Sequence, residues 1–567
     1  MQAPRLRRCC CQVAAVTLIP FNPAGRPSAL RVSLLGRRLG ALLTALLLVA
    51  APAAVRAAEE LEVRLDGLHL PLDLRELEAW SRDPTRPQGD LPALLDLLDP
   101  RQQQALLRLL RAPLVRDRSM ARQLLESWAG QRLLASLGGL LSTDQGLAGP
   151  QLHRALSQLL ERQEEVSTIE LLRAVVGRRI IVDLDGVLEL AGHWQRQLET
   201  QRLALQALRQ LPLRPGTPRL PLTDGLVLAR GQGGGLLPEA SPVRRLQLRV
   251  AHRPEPVRLQ LWQSRRPEAD APWLLLSPGL GGSSSQLEWL AAALRERGWS
   301  VLLLDHPGSD EWAMRAWLEG RRQPPAAETL ADRLRDLQAV VAAVDAGRLP
   351  RLGASVVLVG HSLGGLTSLL AAGLRPEAGL QRRCDQALAR PPLTNLSRLL
   401  QCQLPHVPLP PPQPLAQPVA AVVSLNGFGS LLWPQRGLQE LPVPVLLIGG
   451  SLDLITPPLS EQLRLFLPQG HPRSRLVVLE GGSHFSPVRI SAGSQALFQL
   501  GQELVGVDPG RVQALILSLS SDFLQGLRGP GLAGVAPQRR RLGGVTAYVL
   551  DRARAQQWRL AMPLPPP

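Results

Sequence analysis

The sequence predicts an α/β protein, a mainly parallel sheet with helices on both faces, preceded by an all-helical N-terminal domain. Three observations carry that prediction. From Trp273 onward, six short apolar runs alternate with helical stretches, the pattern of a sheet covered on both sides. Before residue 200, leucines recur at i, i+3, i+4 and i+7 in "LPALLDLLDPRQQQALLRLL" and "MARQLLESWAGQRLLASLGGLL", the period of amphipathic helices. At 567 residues and 45% hydrophobic content the chain has material for two folded units. Aromatics are only 3%, so the core must be built from Leu, Val and Ala.

The elements follow in chain order. Arg37-Arg38 precedes an apolar run, Leu39 to Val55, and Val55-Arg56-Ala57 follows. A positive flank, a short apolar stretch and a small-residue site make a secretory signal. Residues 1–57 are expected to be cut after Ala57, leaving a periplasmic or secreted protein. The run falls short of the ~20 apolar residues of a membrane span, and Pro52 interrupts it. The formal charge is +17, carried by arginine throughout, and removal of the eight leader arginines would lower it to +9. Such a charge speaks to non-specific binding rather than to fold. Cys9, Cys10 and Cys11 lie in the leader, so only Cys384 and Cys402 remain. An oxidising compartment makes those two a candidate disulfide.

Residues 58–200 read as the helical domain, with Ser167-Thr-Ile-Glu170 as a capping box. His69, His153 and His193 stand isolated there and read as ordinary surface or core residues. Residues 201–243, rich in Pro and Gly, read as a linker. "RLQLRVA" and "VRLQLWQ" alternate as a hairpin would and open the second domain, residues 244–525. Its apolar strands are expected at 273–277, 300–305, 355–360, 419–425, 443–450 and 475–481. Residues 376–418 read as a lid-like insertion, with Cys384 and Cys402 placed to clip it. Their spacing of about 18 residues would make that disulfide worth ~3 kcal/mol in a loop-entropy account. Residues 526–567 read as a C-terminal tail.

The chemistry centres on Gly360-His-Ser-Leu-Gly364, a match to G-x-S-x-G. Ser362 comes after the strand "SVVLVG" and before the helical "GLTSLLAAGL", the strand–turn–helix context of a nucleophile elbow. A serine hydroxyl is a weak nucleophile without a base beside it. An acid and then a histidine are expected after later strands. Asp453 follows "VPVLLIGG", and His484 follows "RLVVLEG". His484 would take the Ser362 proton, and Asp453 would hold the imidazole tautomer and stabilise its charge. Oxyanion donors are expected from the backbone N–H of Leu363 and from the loop Ser277–Gly282, with Leu280 first and Gly281 second. Asp305 and His306 end a strand at the rim and would shape the pocket.

Taken together, "SPGLGG", "LLLDHPGS", "GHSLGG", "GGSLDLITP" and "GGSHF" resemble the signature of serine α/β-hydrolases over about residues 244–525. Many relatives carry His-Gly in the oxyanion loop, where this chain has Pro278-Gly279. The arrangement resembles the dienelactone-hydrolase-like branch that includes platelet-activating-factor acetylhydrolases. The preceding helical segment resembles a bacterial domain of unknown function found before secreted hydrolases. The resemblance implies an α/β-hydrolase fold and hydrolysis of carboxylic esters, with lipid or acyl esters as substrates and contact with a membrane surface. A peptidase or thioesterase of the same fold, or a non-catalytic envelope binding protein, are the alternatives. No cofactor is expected: no H-x-x-H or C-x-x-C pattern follows residue 57, and no dinucleotide fingerprint with its acidic partner appears. Nucleic acid is not an expected partner, because basic residues are not clustered with aromatics.

Overall fold

A computed structural model of the chain describes residues 58–217, 243–489, 508–528 and 535–562, apart from residues 97, 116, 117, 145, 164, 267, 269, 412 and 469. The expected export signal, residues 1–57, lies outside the described residues.

The N-terminal domain is α/β, not all-helical. β1 (Glu60–Leu65) and β2 (Leu68–Asp73) form an antiparallel hairpin. Its loop is Asp66-Gly67, with φ of 48° and 76°, as a two-residue type I′ turn requires. β1 also pairs in parallel with β7 (Arg179–Asp183), which pairs with β4 (Leu141–Thr143), and that with β5 (Gly146–Leu147). The result is a five-stranded sheet, β2-β1-β7-β4-β5. β3 (Pro113–Val115) and β6 (Val166–Ser167) make a separate pair. These strands are short and sit between leucine-rich helices, so the helical period dominates any longer window and hides the local alternation of "ELEVRL". The helices themselves are present. Leu74, Leu77, Trp80, Leu152, Leu156 and Leu160 bury their apolar stripes in one core. The capping box forms as expected: Ser167 N–H donates to Glu170 Oε2 at 2.7 Å, and Glu170 N–H donates to Ser167 Oγ at 3.4 Å.

The second domain is built on strands β9 (Arg244–Leu248), β10 (Val257–Trp262), β11 (Pro272–Ser277), β12 (Val301–Leu304), β13 (Ser355–His361), β14 (Val419–Leu425), β15 (Val445–Gly450) and β16 (Arg475–Glu480). Neighbouring strands from β12 through β11, β13, β14 and β15 to β16 are parallel. Helices cover both faces, which explains why these strands read as continuous apolar runs. Along β13 the side chains alternate. Val357 and Val359 enter the core that holds Trp289 and Leu290 of the helix Glu288–Glu296 and Leu515 of the helix Pro509–Arg528. Val356 and Leu358 enter the opposite core, with Leu337, Val340 and Val341 of the helix Leu330–Asp345. β11 lies between β12 and β13. The chain leaves β11 toward one side and returns as β13 on the other. That reversal opens a crevice at the carboxyl ends of β11 and β13, the usual place for a site in such sheets.

Two boundaries differ from the sequence reading. Residues 201–216 are not linker. The helix Leu184–Gln210 crosses from one domain to the other, starting at an Asp183 cap and sending Ala204 and Leu208 into the second domain's core. Trp558 Nε1–H donates to the Ala204 carbonyl at 2.8 Å. β8 (Arg214–Gly216) then joins the main sheet; the rest of the expected linker, residues 218–242, lies outside the described residues. Nor are residues 538–560 a tail. β17 (Gln538–Leu542) and β18 (Val545–Leu550) extend the sheet to eleven strands among the described residues, and β18 is buried along its whole length. These segments are short and β8 and β17 are rich in Arg, Gly and Pro, so periodicity alone conceals them.

Candidate active site

Ser362 stands between β13 and the helix Leu363–Ala371, with φ 52° and ψ −118°. A non-glycine residue in that region carries strain of about 1–3 kcal/mol, which the surroundings must impose. They do so by close packing. A Cβ on Gly360 would lie 2.1 Å from the Gly364 carbonyl oxygen, and one on Gly364 would lie 2.2 Å from that of Ser277. Both glycines of G-x-S-x-G are therefore places where backbones touch. Ser362 N–H donates to the Leu425 carbonyl at 2.9 Å, tying the turn to the end of β14. The Ser362 hydroxyl makes no cap bond to its own helix.

His484 lies in the loop after β16. Its Nδ1 is 2.8 Å from Asp453 Oδ2. Asp453 follows β15 and is almost fully buried. Its other oxygen accepts the N–H groups of Ile455 at 2.8 Å and Thr456 at 2.7 Å. Burial by itself would raise the Asp453 pKa. The neighbouring His484 and the Thr456 bonds outweigh it and hold the carboxyl below its ordinary range. Thr456 Oγ1 lies 2.6 Å from Asp453 Oδ2 and 2.9 Å from the Asn426 carbonyl.

Two further residues fix the His484 loop. His361 Nε2–H donates to the His484 carbonyl at 2.9 Å, and the two imidazole rings lie 4.9 Å apart. Asn426 Nδ2 donates to the carbonyls of Ser483 and His484, both at 3.0 Å. Asn426 reaches them from a left-handed backbone, φ 48°. Burial, followed by the charge of His484, pushes the His361 pKa down to about 3, so it stays neutral. His361 thus ties Ser362's strand to the loop of His484, a contact that sequence spacing does not reveal.

The loop after β11 packs on the same spot. A Cβ on Gly279 would lie 3.2 Å from Ser362 Cβ and 3.0 Å from His361 Nδ1. Gly281 N–H donates to the Ser309 carbonyl at 2.8 Å, which removes the second-choice oxyanion donor. Among the described residues the N–H groups of Leu280 and Leu363 have no hydrogen-bond acceptor. Arg333, fully buried, braces the loop from behind. Its guanidinium donates to the carbonyls of Pro278 and Gly279 and to Ser309 Oγ. Burial lowers its pKa to about 9, so it remains charged at neutral pH.

A second serine–histidine–aspartate chain runs beneath the loop. Ser277 Oγ lies 2.7 Å from His306 Nε2, and His306 Nδ1 lies 2.8 Å from Asp336 Oδ2. Asp336 also meets His252 Nε2 at 2.8 Å and Arg253 at 2.9 Å. Burial, then the Arg333 charge, depresses the His306 pKa to about 4. A neutral imidazole that donates to Asp336 and accepts from Ser277 satisfies every contact. Ser277, His306 and Asp336 are 0 to 1% exposed, so this chain has no opening for a substrate and serves as a support. His306 therefore lies below the loop rather than at a pocket rim. Asp305, its neighbour, accepts Ser284 N–H at 2.5 Å.

The insertion is anchored to the acid's loop. Cys384 and Cys402 form a disulfide, S–S 2.18 Å. Leu396 N–H donates to the Leu454 carbonyl at 3.2 Å and Ser397 N–H to that of Ile455 at 2.8 Å. The buried carboxylate of Glu461 gathers Asn395 Nδ2, Ser397 Oγ, Ser430 Oγ and the N–H groups of Gly429 and Ser430 within 2.6–3.2 Å. Glu461 is invisible in the sequence because its partners come from distant segments. Among the described residues no His, Cys, Asp and Glu group is arranged to hold a metal ion.

Two family models match the chain. Residues 57–183 match one described as "Alpha/beta hydrolase of unknown function (DUF1400)", although they form the small separate sheet rather than the main one. Residues 273–498 match one described as "Alpha/beta hydrolase family". No curated protein matches. The parallel sheet with helices on both faces, the elbow at its reversal point and the second match agree: the chain carries an α/β-hydrolase domain.

Proposed function

We propose that the chain is an exported serine hydrolase of carboxylic esters, with lipid or other acyl esters as its substrates. The single observation that carries this reading is the 2.8 Å contact between His484 Nδ1 and Asp453, with the His484 carbonyl bonded to His361, the neighbour of the strained Ser362. In the proposed reaction Ser362 Oγ attacks the ester carbonyl carbon while His484 Nε2 takes the hydroxyl proton. The resulting oxyanion is held by the N–H groups of Leu280 and Leu363, and Asp453 stabilises the imidazolium. The carbon–oxygen bond breaks, and the departing alkoxide takes the proton from His484. Water then attacks the acyl-enzyme, giving its proton to His484, which returns it to Ser362 as the acid leaves.

An acyl preference is supported by exposed apolar side chains around the acid and the insertion. Leu452, beside Asp453, is 45% exposed, and Leu393 and Leu396 of the insertion are each 39% exposed. Grouped exposed apolar residues are a common feature of surfaces that meet lipid or other apolar partners. The test is a p-nitrophenyl ester series of increasing acyl length, run beside thioester and peptide substrates. Ester hydrolysis with highest kcat/KM for a medium or long chain is expected. Ser362→Ala should cut kcat by about 10³-fold or more. Unchanged activity in that variant would overturn the assignment.

A further inference from the structure

A separate cleft lies away from Ser362, where the helix Leu184–Gln210, the insertion, the helix Gln462–Phe466 and the helix Arg552–Leu560 converge. Its volume is about 630 Å³, inside the range of about 300–1,000 Å³ usual for small-molecule sites. Neither Ser362 nor His484 lines it. One part of its wall is apolar, with Leu459, Leu463 and Leu467; another carries Arg398, Arg464 and Arg559. Each of these arginines comes from a different element.

Among the described residues none of the three arginines is in an ion pair, although many arginines elsewhere in the chain are. Arg398 Nε is shielded from solvent without a hydrogen-bond partner. Arg464 is half-buried, and both burial and the charge of Arg398 work against its own. Glu461, the acid that favours the charged form of Arg464, is occupied by Asn395, Ser397, Ser430 and two backbone amides. Partly desolvated guanidinium groups left without a counter-charge are costly. An anion would relieve that cost, and the leucines beside it would cover an apolar body.

We infer that this cleft binds an anionic amphiphile, a single acyl chain headed by a carboxylate, with Arg398, Arg464 and Arg559 around the head and Leu459 and Leu467 along the chain. The site is independent of the ester-hydrolase reading, because its residues are not those of the Ser362 centre. Occupancy would also bear on the insertion, since Thr394 and Arg398 belong to it and Thr394 Oγ1 is hydrogen-bonded to Gln197 of the long helix.

The test is calorimetric titration of the full chain carrying Ser362→Ala, so that no turnover occurs at the serine. Laurate, dodecanol and inorganic phosphate are the three probes. Laurate is expected to bind at least tenfold more tightly than either of the others. The double change Arg398→Gln and Arg464→Gln should weaken laurate at least tenfold while Arg559→Glu, at an exposed position, weakens it several-fold. Melting curves show whether the double variant folds, and the Arg559→Glu result decides if it does not. Equal affinity for dodecanol, equal affinity for phosphate, no laurate binding, or binding indifferent to Arg559→Glu would each overturn the proposal. Esterase activity retained in the Ser362→Ala chain, with laurate binding intact, would instead count against the Ser362 reading alone.

Discussion

His306 and His361 are both held neutral by burial, and each holds one side of the site. That gives a pH dependence with a fixed sign. An imidazole whose folded pKa lies below its unfolded value, near 6.5, penalises the folded state once the unfolded chain can protonate. Above about pH 6.5 neither form is charged and the penalty is absent. It grows as pH falls through the window, down to about 4 for His306 and about 3 for His361. For His306 the shift corresponds to roughly 3 kcal/mol in total. Urea unfolding between pH 7.5 and 4.5 should therefore show stability falling with acid, and His361→Gln should flatten that slope. A profile that is level across this window would contradict neutral imidazoles at positions 306 and 361. At the same scale, Asp453→Asn should leave the fold intact and cut kcat by about 10⁴-fold, since the imidazole would be left in the wrong tautomer. Steady-state ester kinetics alongside a circular dichroism spectrum would check both halves of that expectation.

Elements, rather than single residues, set the oxyanion loop and the acid loop. The loop after β11 is braced by Arg333 from the helix Leu330–Asp345 and by the Ser277–His306–Asp336 chain. Arg333→Met removes donors to the Pro278 and Gly279 carbonyls without touching Ser362. Its kcat should fall about 10- to 100-fold with KM nearly unchanged, because loop placement matters most in the transition state. A change confined to KM would contradict a positioning role. The acid loop is clamped by the insertion through Leu396, Ser397 and Glu461. Glu461→Gln puts an amide donor where several donors already converge. It should lower stability by about 2–4 kcal/mol in urea unfolding. The insertion can be read in the sequence as a lid-like segment from its position between β13 and β14 and from its two cysteines. Its anchoring cannot, because Glu461, Asn395 and Gly429 are far apart in the chain and none belongs to a motif.

At the scale of the whole molecule, the helix Leu184–Gln210, which follows the last strand of the N-terminal domain, ends inside the second domain's core. Ala204 and Leu208 pack with Phe466, Trp558 and Leu447. Leu208→Ala should cost about 2–5 kcal/mol, as large-to-small changes in a closed core do. It should lower the melting temperature of the hydrolase domain, although residue 208 falls in a stretch that reads as linker. A calorimetric trace in which only an N-terminal transition moves would count against this anchoring of the helix in the second domain's core.

What is legible in the sequence follows from range. The parallel sheet, the elbow at Ser362 and the loops of Asp453 and His484 announce themselves through runs of five to eight neighbouring residues. The hairpin at Asp66-Gly67 is equally local, but its strands are brief and leucine-rich helices surround it. β17 and β18 are a local hairpin closed at Gly543-Gly544, but its first strand is Arg-rich and short; β8 exists only because β17 offers it an edge, and Arg333, His306 and Asn426 act through partners that no window contains.

The central claim is that Ser362 is the nucleophile of this domain. The most direct test is to treat the native full chain with a fluorophosphonate and locate the adduct by mass spectrometry. One adduct is expected, on Ser362, abolished by heat denaturation and much slowed by His484→Ala. An unlabelled native chain, or an adduct on another serine with Ser362 untouched, would contradict it.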